Sequence, residues 1–205
     1  MLAKVVVFDL GKVLVDFDYG IAARRIASRG RLSIDEVQNL IDHSPLLFQL
    51  ETGEITSGQF FDEVRVATGF QGDFEEFSGF FADIFTPIEP MVEIHARLRA
   101  RRVPTFILSN TNGIAITHIR RNFPFFANFD GYVYSYQQRA MKPDPKIYEA
   151  VERMTGGQGK EILFLDDRKE NVATAFDRGW QIIHHQSWEE TLAALKQANV
   201  LGQDQ

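Results

Sequence analysis

Asp9 closes a run of β-branched and aromatic residues, Val5 to Phe8, and Gly11 follows it closely. An apolar run this short and unbroken suits a strand buried on both faces of a parallel sheet. Asp9 then stands at the strand's carboxyl end, the edge where open α/β sheets bind ligands. An acid that merely starts a turn would look the same. Thr105-Phe106-Ile107-Leu108 makes a second buried strand and runs into Ser109-Asn110-Thr111-Asn112-Gly113. That polar loop is able to present hydroxyl and backbone N–H donors to a ligand, and equally to cap a helix. Lys142 comes just before Pro143, with Asp144 as a helix N-cap and Pro145 at the first helical position. A cation fixed there suits a phosphate group, or plain solvent exposure. Ile162-Leu163-Phe164-Leu165 ends in Asp166-Asp167. Adjacent acids repel, so such a pair calls for a cation, a proton or water beside it. Asn171 follows on the first turn of the next helix.

The elements that must position these residues form a βα series after residue 90. Gly131 to Tyr134 reads as a third strand and Gln181 to His184 as a fifth, with helical stripes between. The stretch from Tyr19 to about Phe85 differs, with helical periodicity throughout and no strand signal. Ser33-Ile34-Asp35-Glu36 and Thr56-Ser57-Gly58-Gln59 have the form of capping boxes. Four or five short helices are expected, with most of their phenylalanines forming a core, because a small bundle needs large side chains. Phe74, Phe77, Phe81 and Phe85 fall on neighbouring faces of the last one. Contacts with a substrate are expected from the residues around Phe48 to Glu54. The histidines, His43, His95 and His118 on separate helices and the adjacent His184 and His185, are assigned no chemistry.

Composition narrows the class. The 205 residues are 44% hydrophobic and 24% charged, as in a globular protein with a substantial core. A net charge of −6 argues against a broad nucleic-acid surface. Without cysteine, disulfides and thiolate chemistry are excluded. The first apolar run breaks at Asp9, too soon for a signal-peptide core, and no apolar segment reaches the ~20 residues of a membrane span. A cytoplasmic protein acting without membrane or nucleic-acid partners is expected.

Asp9-Leu10-Gly11, Ser109-Asn110-Thr111, Lys142-Pro143 and Asp166-Asp167 with Asn171, in that order, resemble the haloacid dehalogenase (HAD) superfamily of hydrolases. Phe8-Asp9-Leu10-Gly11 with Ser109-Asn110-Thr111-Asn112 and Lys142-Pro143 is similar, more narrowly, to its α-glucose-1-phosphate phosphatase-like branch. The resemblance implies a Rossmann-like, doubly wound parallel sheet of order 5-4-1-2-3. An all-helical cap of residues 18–87 would be inserted into a catalytic core of 1–17 and 88–205. It implies a magnesium-dependent phosphatase acting on a small phosphorylated metabolite, such as a sugar phosphate. Asp9 would be the nucleophile that forms an aspartyl-phosphate. Mg²⁺ would be held by Asp9, Asp167, the Gly11 carbonyl and, directly or through water, Asp166. Ser109 and Asn110 would bind the phosphoryl group, Lys142 would balance its charge, and Asn171 would orient a metal-bound water.

Gly11 departs from the family pattern. Most phosphatases of the superfamily carry there a second aspartate that protonates the leaving group and then activates water. General acid–base catalysis is worth about 10²–10⁴-fold, so good leaving groups should be favoured, or Asp16 or Asp18 should substitute. A 2-haloacid dehalogenase, which needs neither that aspartate nor magnesium, is the alternative enzyme. A pseudo-enzyme that keeps only the fold is the alternative of another class.

Overall fold

A computed structural model describes residues 3–42 and 44–202, so His43 lies outside the described residues. In chain order the elements are β1 (Val5–Phe8), β2 (Val15–Phe17), α1 (Tyr19–Ala27), α2 (Ile34–Asp42), α3 (Pro45–Glu51), α4 (Ser57–Thr68), α5 (Phe74–Ala82) and β3 (Phe85–Pro87). There follow α6 (Glu89–Ala100), β4 (Thr105–Ser109), α7 (Gly113–Asn122), β5 (Gly131–Tyr134), α8 (Ser135–Gln138), α9 (Pro145–Thr155), β6 (Ile162–Asp166), α10 (Lys169–Asp177), β7 (Gln181–His184) and α11 (Trp188–Gln197).

Five parallel strands form the central sheet in the order β5-β4-β1-β6-β7. Counted over these five alone and read from the other edge, this is 5-4-1-2-3; the labels differ because β2 and β3 intervene in the chain. The four residues of β1 are buried, as the unbroken apolar run requires of the central strand. Phe8 pairs with Ile107 on one side and Leu165 on the other. This register brings the carboxyl ends of β4, β1 and β6 level, and with them Ser109, Asp9 and Asp166. Each face of the sheet has its own apolar cluster. Phe8, Leu163 and Leu165 face one side, with Met91 and Leu98 of α6; Val7 and Phe164 face the other, with Tyr148 of α9.

The helices α1 to α5 follow the expected caps. Thr56 and Gln59 form a reciprocal capping box, and Asp73 accepts from the Glu76 N–H. Phe60, Phe77 and Phe81 are fully buried, with ring centroids of Phe60 and Phe81 5.1 Å apart, so these phenylalanines are core. One expectation fails: β2 and β3 pair as an antiparallel hairpin at the base of this insertion, Phe17 opposite Phe85. Phe85 is therefore a strand residue, not the last on a helix. Three-residue strands are too short to show alternation in the sequence. No helix among the described residues is long and apolar enough to cross a membrane.

Candidate active site

Three carboxylates converge at the sheet edge. Asp9, Asp166 and Asp167 each place an oxygen within 4.8 Å of the others. Lys142 reaches them through the core, its Nζ 2.8 Å from Asp9 Oδ1 and 2.6 Å from Asp166 Oδ2, its side chain 1% exposed. Burial acts to lower the lysine's pKa, but attraction to Asp9 and Asp166 outweighs it and the group is held above its ordinary value. Burial pushes Asp9 up to about 8, with Asp166 adding to the effect and Lys142 opposing it. Burial and Asp166 also raise Asp167, which is only partly buried. Three acids thus face one ammonium.

The acids are held differently. Asp166 accepts from Lys142 Nζ at 2.6 Å, from Asn171 Nδ2 at 2.9 and 3.1 Å, and from the Arg168 N–H at 2.8 Å. A carboxylate has about four acceptor sites, so Asp166 is saturated. Asp9 Oδ1 takes the Leu10 N–H at 2.6 Å and the Lys142 ammonium, while its Oδ2 takes no hydrogen bond from a described residue. The Asp167 side chain likewise receives none from another described side chain.

Ser109 is buried, its hydroxyl within 3.3 Å of the Asn110 carbonyl, a long bond that a better acceptor would displace. Asn110 is placed unexpectedly. Its Nδ2 donates to the Lys142 carbonyl at 3.0 Å and its Oδ1 accepts the Lys142 N–H at 2.7 Å. Its side-chain amide is therefore engaged with the Lys142 backbone, which leaves the backbone N–H of Asn110 as its group for a phosphoryl oxygen. Asn171 similarly directs its amide to Asp166 rather than outward, and its carbonyl accepts from Tyr148. Asp16 is not brought to the site. Its side chain is 62% exposed, paired with Lys12 and accepting the Phe17 N–H, because it lies on the hairpin opposite Thr86. Asp18 is the N-cap of α1. Neither lines the cavity beside Gly11. A Cβ at Gly11 would come within 2.9 Å of Phe17 Cε1, so a side chain there would have to displace that ring.

A cavity of about 50 Å³ lies beside these residues, lined from the core by Leu10, Gly11 and the 109–112 loop. Phe17, Tyr19, Glu51 and Phe85 close it from the insertion. At ~30 Å³ per water, it holds one or two water molecules. The end of α3 is brought in by Gly53, whose φ of +71° and close approach to the Tyr136 carbonyl admit no side chain: a Cβ would sit 2.2 Å from that oxygen.

The haloacid dehalogenase-like hydrolase family matches residues 3–177 of the chain. The chain belongs to that family. Among relatives of this hydrolase, a D-ribitol-5-phosphate phosphatase of Bacteroides thetaiotaomicron is 21% identical over 203 residues, 95% of this chain and 98% of the relative. A sesquiterpene phosphatase of Aspergillus oryzae is 23% identical over 184 residues, 88% and 89% of the two chains. The crystal structure of a HAD family enzyme from Bacteroides thetaiotaomicron, in complex with magnesium and inorganic phosphate, superposes with a TM-score of 0.79 at 24% identity, over 92% of this chain and 98% of that one. The L-2-haloacid dehalogenase of Xanthobacter autotrophicus superposes with a TM-score of 0.64 at 20% identity, over 98% and 85%. These two likenesses show the hydrolase's fold. Within the Phe48 to Glu54 stretch, Glu51 is the residue that reaches the cavity, a position no motif marks. The one signal in the sequence is an acid ending a short helix without a basic residue in its last turn.

Proposed function

We propose that this hydrolase is a magnesium-dependent phosphatase of small phosphomonoesters, with a sugar or polyol phosphate as substrate. The observation that carries the reading is the imbalance of three carboxylates against one ammonium, which calls for a cation. The donors fit Mg²⁺, a hard ion that takes oxygen ligands and shares them with phosphate and water. Asp9 and Asp167, whose carboxylates keep open oxygens, would hold it together with the Gly11 carbonyl. Saturated Asp166 would support from behind, meeting the ion through water. When bound, the ion would supply positive charge against the phosphoryl oxygens. The two phosphatase relatives and the neighbour bound to magnesium and inorganic phosphate support this reading.

In this reading one carboxylate oxygen of Asp9 attacks phosphorus while the other faces the ion, the bond to the leaving oxygen breaks, and water later cleaves the aspartyl-phosphate. Lys142 holds Asp9 in place and stabilises charge as it builds on the phosphoryl group. Ser109 turns its hydroxyl from the Asn110 carbonyl to a phosphoryl oxygen. Asn110 is a positioning residue that fixes the Lys142 backbone. Residues 18–87 act as a cap over the sheet edge, where Tyr19, Glu51 and Phe85 line the cavity opposite the 109–112 loop.

The test is rapid-mixing hydrolysis of p-nitrophenyl phosphate with magnesium, with EDTA, and with the Asp9→Asn variant. A magnesium-dependent burst of p-nitrophenol that the variant lacks is expected. Halide release from 2-chloropropionate without magnesium would favour the dehalogenase instead. Inertness toward both substrates would leave the pseudo-enzyme.

A further inference from the structure

Glu51 stands against the ordinary preferences of a helix end. It ends α3, where the helix dipole disfavours negative charge, and no basic residue shares its last turn. It lines the cavity, half-buried, and its carboxyl oxygens take no hydrogen bond from a described residue and keep contact with solvent. A half-buried carboxylate at a helix C-terminus, with no ion-pair partner among the described residues, calls for another reason for its position. The cavity supplies one. Across it stand Gly11, Ser109 and Asn110, the two loops that flank Asp9 and the site of the phosphoryl group. We infer that Glu51 is the acid and base of the reaction, supplied by the cap in place of the aspartate absent at Gly11. The inference rests on the phosphatase reading given above.

The geometry makes the substitution specific. The Phe17 ring edge lies 2.9 Å from where a Cβ at position 11 would stand, so the ring takes up room there that an acid would need. Gly53, two residues beyond Glu51, lets the end of α3 dock directly on the backbone of α8, which fixes the carboxyl's approach. Desolvation raises Glu51 to about 7, which suits a group that both gives and takes a proton near neutrality. The other titratable group lining the cavity is Tyr19. Burial, then Glu51 and Asp42, hold its phenol protonated.

The steps balance. As the Asp9 carboxylate bonds to phosphorus and the P–O bond to the leaving group breaks, protonated Glu51 gives its proton to the departing alkoxide, releasing an alcohol. Glu51, now a carboxylate, takes a proton from water as the water oxygen bonds to the phosphorus of the aspartyl-phosphate. Inorganic phosphate leaves, and Asp9 and Glu51 return to their starting states. Both events need the cap closed, so hydrolysis is tied to the form that excludes bulk water.

The experiment compares single-turnover alcohol release from glycerol 3-phosphate and p-nitrophenyl phosphate, with magnesium, in the wild type, Glu51→Gln and Asp9→Asn. In Glu51→Gln, release of glycerol should fall about 10²–10⁴-fold. Release of p-nitrophenol, which leaves without a proton, should fall less than about 10-fold, followed by stalled turnover as phosphoenzyme accumulates. Glu51→Gln should melt no lower than wild type at pH 8, which separates lost chemistry from lost folding. Equal losses on both substrates, or undiminished glycerol release, would overturn the role of Glu51. Full release by Asp9→Asn would overturn the phosphatase reading itself, whatever Glu51→Gln does.

Discussion

Asp166 and Glu51 are both carboxylates drawn in toward the sheet edge, and they are treated in opposite ways. Asp166, at the end of β6, is fully buried and receives hydrogen bonds from Lys142, Asn171 and the Arg168 N–H. Glu51, at the end of α3, lies in a cavity with no such donor. A saturated acid holds other groups in place and has no free capacity for a reacting molecule. An unsatisfied one keeps its lone pairs and its proton available, at a cost to stability. Asp16, exposed and paired with Lys12, completes the contrast as an acid held in solvent.

Substitutions can break this comparison. The largest effect on folding is expected for Asp166→Ala, which strips one of two carboxylate partners from a buried ammonium. Urea titration should show a loss of about 3–5 kcal/mol. Glu51→Gln should act in the other direction. The folded-state pKa of Glu51, about 7, lies above its ordinary 4.5, so the cost of ionising it is absent below about pH 4.5 and fully felt above pH 7. Replacing it should therefore stabilise the protein by on the order of 1–3 kcal/mol at pH 8 and leave it unchanged near pH 4.5, as thermal melts across that range would show. Asn110→Ala, which frees the Lys142 backbone, should lower kcat/KM about 10–100-fold while folding is retained. The smallest effect is expected at Asp16→Asn, with stability within about 0.5 kcal/mol of wild type and unaltered turnover. A loss of activity there would return the hairpin acid to consideration.

What could be read from the sequence follows the same division. Asp9, Ser109 and the Asp166-Asp167 pair were visible because each closes a buried parallel strand, where an apolar run must stop and a polar residue is conspicuous. Lys142 was visible through the prolines that set the helix start beside it. Their partners were less so. That Asn110 and Asn171 turn inward, to a backbone and to Asp166, depends on side-chain directions that strand and helix periodicity do not encode. The hairpin of β2 and β3 was hidden by its length. Glu51 belongs to a helix of seven residues whose neighbour Phe48 is 53% exposed, so nothing local announces a half-buried carboxyl. Its burial comes from Tyr19 and the 109–112 loop, both distant in the chain.

The apolar cluster that holds α1 to α5 together has a further consequence. Its buried members lie between Ala22 and Ile84, with a single addition from outside, Ile114 of α7. Two halves joined by so thin an apolar seam can drift separately. Replacements among the loops of residues 18–87 can then be made while leaving the acids and lysine of the sheet edge undisturbed. New specificities are then reachable by small inherited steps, none of which must pass through an inactive ancestor.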